Sequence, residues 1–96
     1  MAHIRIYHSV SCDALGEDVT EKQTIDYLER FEKRAHAEFG GGDDKITVIS
    51  DIEPRIIQYQ DTDVTITPIP EDYGEKKQEI LQAVEDLVIA TYEGWQ

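Results

Sequence analysis

The residue best suited to chemistry in this sequence is a single cysteine, Cys12, which follows an alternating segment and precedes a helical pattern. A thiol near the start of a helix becomes reactive when positive charge or backbone N–H groups stabilise the thiolate. Here Asp13, Glu17 and Asp18 lie close in sequence, and their negative charge disfavours the thiolate. The local sequence therefore argues against an activated cysteine.

The positions around Cys12 also fail the common cysteine motifs. A phosphatase loop requires Arg where this chain has Asp18, and a dithiol redox motif requires a second cysteine where it has Leu15. A small thiol-dependent, thioredoxin-like enzyme that uses Cys12 is the alternative function, because a strand, a cysteine loop, a helix, a strand and Pro54 follow in that order. The pattern lacks that fold's middle helix. A single cysteine also excludes an internal disulfide.

The histidines and the paired acids do not have the spacing of metal ligands. The histidines are scattered along the chain: His3, His8 and His36. His8 falls on the apolar side of a strand, so we expect a core residue there, whereas His36 falls on the exposed side of a helix. Four carboxylates flank a strand without the spacing of a calcium loop: Asp43, Asp44, Asp51 and Glu53. The sequence therefore predicts no catalytic residue, metal site or cofactor.

Charge is the most unusual property of the chain. The formal net charge is −12 over 96 residues. Such a surface repels nucleic-acid phosphates and anionic lipid headgroups, and it attracts basic partners. The same charge also keeps a protein in solution without any specific partner. Direct binding to nucleic acid or to an anionic membrane is therefore excluded, and a basic protein partner is one of two explanations.

The negative charge is concentrated in the C-terminal third, where residues 61–96 hold nine acidic residues and two lysines. On a helical wheel, the last helix places five acids in one stripe opposite its apolar face. Two further acids fall in an adjacent predicted loop. The predicted partner-binding residues are these seven: Asp61, Asp63, Asp72, Glu75, Glu79, Asp86 and Glu93.

A carboxylate stripe of this kind suggests a nucleic-acid mimic. Acids four residues apart on a helix are separated by about 6 Å of rise, which is similar to the spacing of phosphates along a strand. We therefore predict a non-enzymatic, acidic binding module that inhibits a basic nucleic-acid-handling protein. Small inhibitors carried by phages, including anti-CRISPR proteins, are the class of protein that this prediction indicates. The other reading is an ordinary charged solvent face.

The elements that position these residues follow the order β-α-β-β-β-α. We predict strands at residues 3–10, 45–52, 55–60 and 64–69, with a polar loop at 11–18 and a hairpin loop at 61–63. A helix begins near Asp18 or Thr20, since both fit a capping box, and ends at Gly40. The last helix begins near Asp72 and is stopped by Gly94. Pro68 places the last strand at or near a sheet edge.

This order predicts an α/β (α+β) fold: a two-layer sandwich in which both helices cover one face of a mixed sheet. The length predicts a single domain spanning residues 1–96. No apolar run approaches a membrane span, and the N-terminal residues alternate rather than form a signal-peptide core, so we expect a cytoplasmic protein. A homodimer or homo-oligomer that pairs through the edge strand, or through Tyr92 and Trp95, is a further alternative.

Overall fold

The computed structural model describes residues 2–53 and 59–95. Strands and helices follow in the order β1 (His3–Val10), α1 (Cys12–Leu15), α2 (Glu21–Phe39), β2 (Lys45–Ile52), β3 (Gln60–Thr67) and α3 (Tyr73–Trp95). The strands predicted at 3–10 and 45–52 and the helix ending before Gly40 are confirmed. Most of the strand predicted at 55–60 lies outside the described residues.

The described strands form a mixed sheet in the order β2-β1-β3. β1 is parallel to β2, with Ile6 opposite Val48, and antiparallel to β3, with Ile6 also opposite Val64. The first strand of the chain is therefore the central one. A βαβ unit joins β1 to β2 through α2, which confirms the predicted parallel pair.

The predicted hairpin loop at residues 61–63 is wrong, because Asp61 and Asp63 lie within β3. Asp61 pairs with Ser9 and Asp63 with Tyr7 across the antiparallel ladder. These acids are tolerated because β3 is an edge strand of the described sheet and their side chains avoid the helix face. The strand ends at Thr67, next to Pro68, which confirms the predicted edge position.

The polar loop predicted at 11–18 contains a short helix, α1, which is a second correction. Ser11 begins it by accepting a hydrogen bond from the Ala14 N–H at 3.3 Å. The following helix, α2, uses the second of the two predicted capping boxes: Thr20 accepts from the Gln23 N–H, and the Gln23 side chain accepts from the Thr20 N–H. These two caps determine where α1, which contains Cys12, and α2 begin after β1.

Both long helices pack on the same face of the sheet. One cluster joins residues of β1, β3, α2 and α3: Ile4, Ile6, Val64, Ile66, Phe31, Ala35, Val84 and Val88. A second cluster, centred on Val10 and Tyr27, extends the core towards α1. Ile25, which the wheel of α2 placed in the apolar stripe, is 45% exposed, because the helix turns Thr24 and Tyr27 inwards instead.

The last helix, α3, begins at Tyr73, and the Asp72 carbonyl accepts a hydrogen bond from the Lys76 N–H at 3.0 Å. Its buried positions are Val84, Val88 and Thr91. Gly94 lies inside the helix, one residue before its end, so the predicted stop at this glycine is wrong by one position. The packing of one face fixes which side chains of α3 reach solvent.

Candidate protein-binding surface

The acidic stripe of α3 is exposed along its whole length. All five carboxylates that the helical wheel places in the stripe are exposed in the structure: Asp72, Glu75, Glu79, Asp86 and Glu93. The stripe lies opposite Val84 and Val88 on the wheel and extends about 30 Å along the helix. The predicted orientation of the stripe towards solvent is therefore confirmed.

The two lysines of α3 do not interrupt this stripe. The Lys77 ammonium lies 3.3 Å from an Asp63 carboxylate oxygen and 5.9 Å from the centre of the Tyr73 ring. Lys77 is thus directed towards the sheet, where it bridges α3 to β3 and partly neutralises Asp63. Lys76 is exposed, but it lies to one side of the acids, next to Glu79 and Ile80 at a pocket. The remaining charge of the stripe faces solvent.

Asp61 and Asp63 differ in their surroundings. Asp63 is paired with Lys77, as described, and its side chain also accepts a hydrogen bond from the Val64 N–H at 2.8 Å. Asp61 lines a cleft between β3 and α3 together with Glu85 and Ile89. Of the two acids predicted in the hairpin loop, Asp61 borders this cleft and is not paired with Lys77, but strand alternation directs its side chain to the sheet face opposite the helices.

Sequence reasoning missed two residues of this surface, Glu85 and Ile89. Glu85 lies beside the stripe rather than in it. Ile89 is 57% exposed, although most apolar side chains of this amphipathic helix face the core. A second cleft, which also contains Ile89, includes Tyr92 and Glu93. The signal in the sequence was that Ile89 falls outside the apolar face of the wheel.

A further pocket borders the other end of the stripe. It is lined by residues at the ends of β1, β3 and α3, namely Ala2, Ile4, Asp44, Ile66, Pro68, Ile69, Pro70, Lys76, Glu79 and Ile80. Its volume is about 450 Å³, and Ile69 beside it is 76% exposed. The acidic stripe therefore has exposed apolar side chains at both ends, Ile69 at one and Ile89 at the other.

Cys12 is half-buried, and its sulfur lies 3.1 Å from the Thr24 hydroxyl oxygen. That hydroxyl also lies 2.9 Å from the Thr20 carbonyl oxygen, to which it donates as helical threonines commonly do. Among residues 2–53 and 59–95, Thr24 is the one hydrogen-bonding group at the sulfur. Within those ranges, no histidine, lysine or arginine forms a hydrogen bond with the sulfur.

His8 is a buried core residue, which confirms the sequence prediction. Its Nδ1 lies 3.1 Å from the Asp61 carbonyl oxygen, and its Nε2 lies 2.9 Å from the Tyr27 hydroxyl. A carbonyl only accepts, so Nδ1 carries the proton and Tyr27 donates to Nε2. Burial lowers the pKa of His8, against a smaller opposing effect of Asp61, and it raises the pKa of Tyr27. Both groups are neutral and structural.

The other candidate metal ligands are dispersed. His3 Nε2 lies 2.7 Å from the Thr47 hydroxyl, and His36 is exposed on α2. Asp44 accepts from the Ala2 N–H, and Asp51 from the Ile52 N–H. Within the described residues, no three His, Cys, Asp or Glu side chains come together as a metal-binding group.

None of the helices in the described part of the chain is both long and apolar enough to cross a membrane. Comparisons with protein-family models, with curated proteins and with solved structures find no match for this chain. The functional argument therefore depends on the surface itself.

Proposed function

We propose that this protein is a non-enzymatic binding module that presents the acidic stripe of α3 to a basic surface on another protein. The observation that carries the proposal is the stripe itself, which holds five exposed carboxylates and no lysine or arginine between Lys77 and Glu93. A solvent-facing helix surface usually mixes both signs of charge. A long surface of one sign is what electrostatic steering towards a partner of opposite charge requires.

The exposed apolar residues favour a protein partner over a simple polycation. Protein interfaces combine apolar contacts at their centre with charges at the rim. Ile89 lies between the two clefts of α3, and Glu85 and Glu93 of the same helix line these clefts. We expect Ile89 to contact an apolar group of the partner while the acids around it contact lysines or arginines.

The partner that best fits the spacing of the stripe is a protein whose basic groove ordinarily holds nucleic acid. The rise between Glu75 and Glu79 is about 6 Å, close to the separation of neighbouring phosphates, and the two seven-residue steps to Asp86 and Glu93 are about 10 Å each. The chain would then act as a nucleic-acid mimic inside the cytoplasm, as phage-borne inhibitors of CRISPR complexes do. The alternative partner is a regulatory protein whose basic surface does not bind nucleic acid.

The test begins with affinity capture from lysate at low salt, followed by elution with increasing salt. The partner is then purified and titrated with three proteins: the wild type, a reversal variant and a control. The reversal variant carries Glu75→Lys, Glu79→Lys and Asp86→Lys. The matched control carries Glu21→Lys, Glu29→Lys and Glu38→Lys on the exposed face of α2, which changes the net charge equally.

We expect the reversal variant to bind about 100-fold more weakly and the control to bind nearly as the wild type does. Each reversal removes a favourable surface pair and adds a repulsive one, about 1 kcal/mol per site and about 3 kcal/mol for the three. Equal loss in both variants would mean that only net charge matters, and unchanged binding would refute the proposal. Competition by the partner's own nucleic acid would identify mimicry.

A further inference from the structure

The face of the sheet opposite the helices is uncovered in the part of the chain that the structure describes. Strand alternation and register place four rows of side chains on it, each row taken across β2, β1 and β3. The rows are Lys45, His3, Thr67; then Thr47, Arg5, Thr65; then Ile49, Tyr7, Asp63; and finally Asp51, Ser9, Asp61. We call this surface the open face.

Charge on the open face is divided between its two ends. The cations Lys45 and Arg5 lie in the first two rows, and the anions Asp51 and Asp61 lie in the last row. Asp63, in the third row, is already paired with Lys77 of α3. The centre contains Tyr7 and Ile49, and Ile49 is 43% exposed. The open face therefore carries both signs of charge around an apolar centre, whereas the stripe of α3 carries one sign.

We propose that the open face binds the open face of a second copy of this chain, with the two-fold axis crossing the strands at right angles. A two-fold interface must be complementary to itself. An axis along the strands would place the two basic ends together, whereas an axis across the strands places each basic end over the acidic end of the other copy. The charge distribution of the face thus selects one arrangement.

In this arrangement, Lys45 lies over Asp51 of the partner subunit, and the pair occurs twice because of the symmetry. Arg5 lies over the partner's Tyr7, with its guanidinium stacked on the ring and close to the partner's Ile49. Facing sheets pack about 10 Å apart, a gap that these long side chains fill. The two Lys45–Asp51 pairs fix the register, and the apolar centre supplies the area removed from water.

The high net charge does not prevent this association. The acidic stripe lies on the outer side of α3, so the full thickness of a helix, about 10 Å, adds to its distance from the open face. At physiological ionic strength the screening length is about 8 Å, so stripe-to-stripe repulsion between the copies is weak. Three neighbouring strands of eight residues present a face of about 350 Å² per copy. This area is well below that of a standard protein–protein interface, so the dimer should be weak.

The first test is sedimentation equilibrium at physiological salt over micromolar to millimolar protein. The wild type should dimerise reversibly. Lys45→Asp and Asp51→Lys should each weaken the dimer at least about tenfold, because each creates repulsion at both symmetric positions. The double variant, Lys45→Asp with Asp51→Lys, and an equimolar mixture of the two single variants should both restore it. Lys33→Asp on α2, with the same charge change, is the control.

A second test does not depend on the variants folding. Lys45 and Asp51 are six residues apart in one extended strand, about 20 Å, so a zero-length carbodiimide cross-link between them forms only between copies. We expect that cross-link in the wild-type dimer, identified by mass spectrometry. A protein that stays monomeric throughout, or a dimer without this cross-link, would overturn the proposal.

Edge-to-edge pairing of β2 strands would also bring Lys45 near Asp51, and Tyr7 separates the two arrangements. Tyr7 lies on the central strand, inside the open face but away from both edges. Tyr7→Lys places a cation against Arg5 of the partner subunit and should abolish face-to-face dimers. Circular dichroism confirms that the variant is folded. A folded Tyr7→Lys variant that still dimerises as the wild type does would refute face-to-face packing in favour of edge pairing.

Discussion

Tyr27→Phe tests the hydrogen bond at the centre of the core. The Tyr27 hydroxyl lies 2.9 Å from His8 Nε2, and both side chains are almost fully buried, at 1% exposure each. Because Nδ1 donates to the Asp61 carbonyl, Nε2 has no proton and requires a donor. The substitution keeps the ring and its volume but removes that donor, so a buried acceptor is left without a partner.

The expected cost of Tyr27→Phe is about 1–3 kcal/mol in the free energy of unfolding, the range for a buried polar group left unpaired. In a domain of this size, each kcal/mol lowers Tm by about 4–8 °C. Thermal and urea unfolding at pH 7 measure the loss. Tyr92→Phe is the matched control: its hydroxyl donates to the Leu15 carbonyl at 3.0 Å, but the site is half-buried, so water replaces the donor and the cost should be smaller.

Nitrogen chemical shifts of the His8 ring give an independent test of the same reasoning. We expect a neutral ring with the proton on Nδ1 at pH 7 in the wild type. If Tyr27→Phe were as stable as the wild type, or if the proton were on Nε2, Tyr27 would not be the donor and the assignment of the pair would be wrong.

Two further changes test the pH response and the start of α2. Burial lowers the pKa of His8 below its ordinary value of 6.5, so the unfolded chain binds a proton that the folded chain does not. Stability should be full above pH 6.5 and should fall below it by up to about 1.36 kcal/mol per pH unit. In urea unfolding between pH 5 and 7, His8→Gln should lose the contribution of His8 and keep only that of His3, whose pKa is lowered by desolvation and by Arg5 and Lys45, whereas His3→Gln should keep the contribution of His8. Thr20→Ala removes the side chain that accepts from the Gln23 N–H and should cost about 1 kcal/mol, whereas Asp18→Ala, at the capping box that the structure does not use, should cost little.

The sequence predicted the elements whose signals are local and missed those set by distant neighbours. The alternation in β1 and the threonine–glutamine spacing before α2 each lie within a few residues; the first predicted the strand, and the second gave one of the two capping boxes between which the structure decides. Asp61 and Asp63 resemble a loop locally, but they pair with Ser9 and Tyr7, which are more than fifty positions away. That pairing was not visible in a local pattern.

The same distinction holds for the candidate surface. The wheel of α3 predicted the exposed stripe because Val84 and Val88, which orient the helix, belong to the same segment. It could not associate Glu85 and Ile89 with Thr62, since these residues line one cleft only because β3 lies beside α3. Tyr27 likewise turns inwards in place of Ile25, and its hydroxyl donates to His8 on β1, which is nineteen positions away.

The two proposed surfaces lie on opposite sides of the chain, and this placement decides how they would act together. The open face lies on one side of the sheet, and the acidic stripe lies on the outer side of the helix layer. In the proposed dimer the two stripes would therefore face away from each other, and neither would be covered. Each stripe would bind its own partner molecule, so dimerisation would strengthen attachment to a partner that displays several basic sites and would have no effect on a monomeric one.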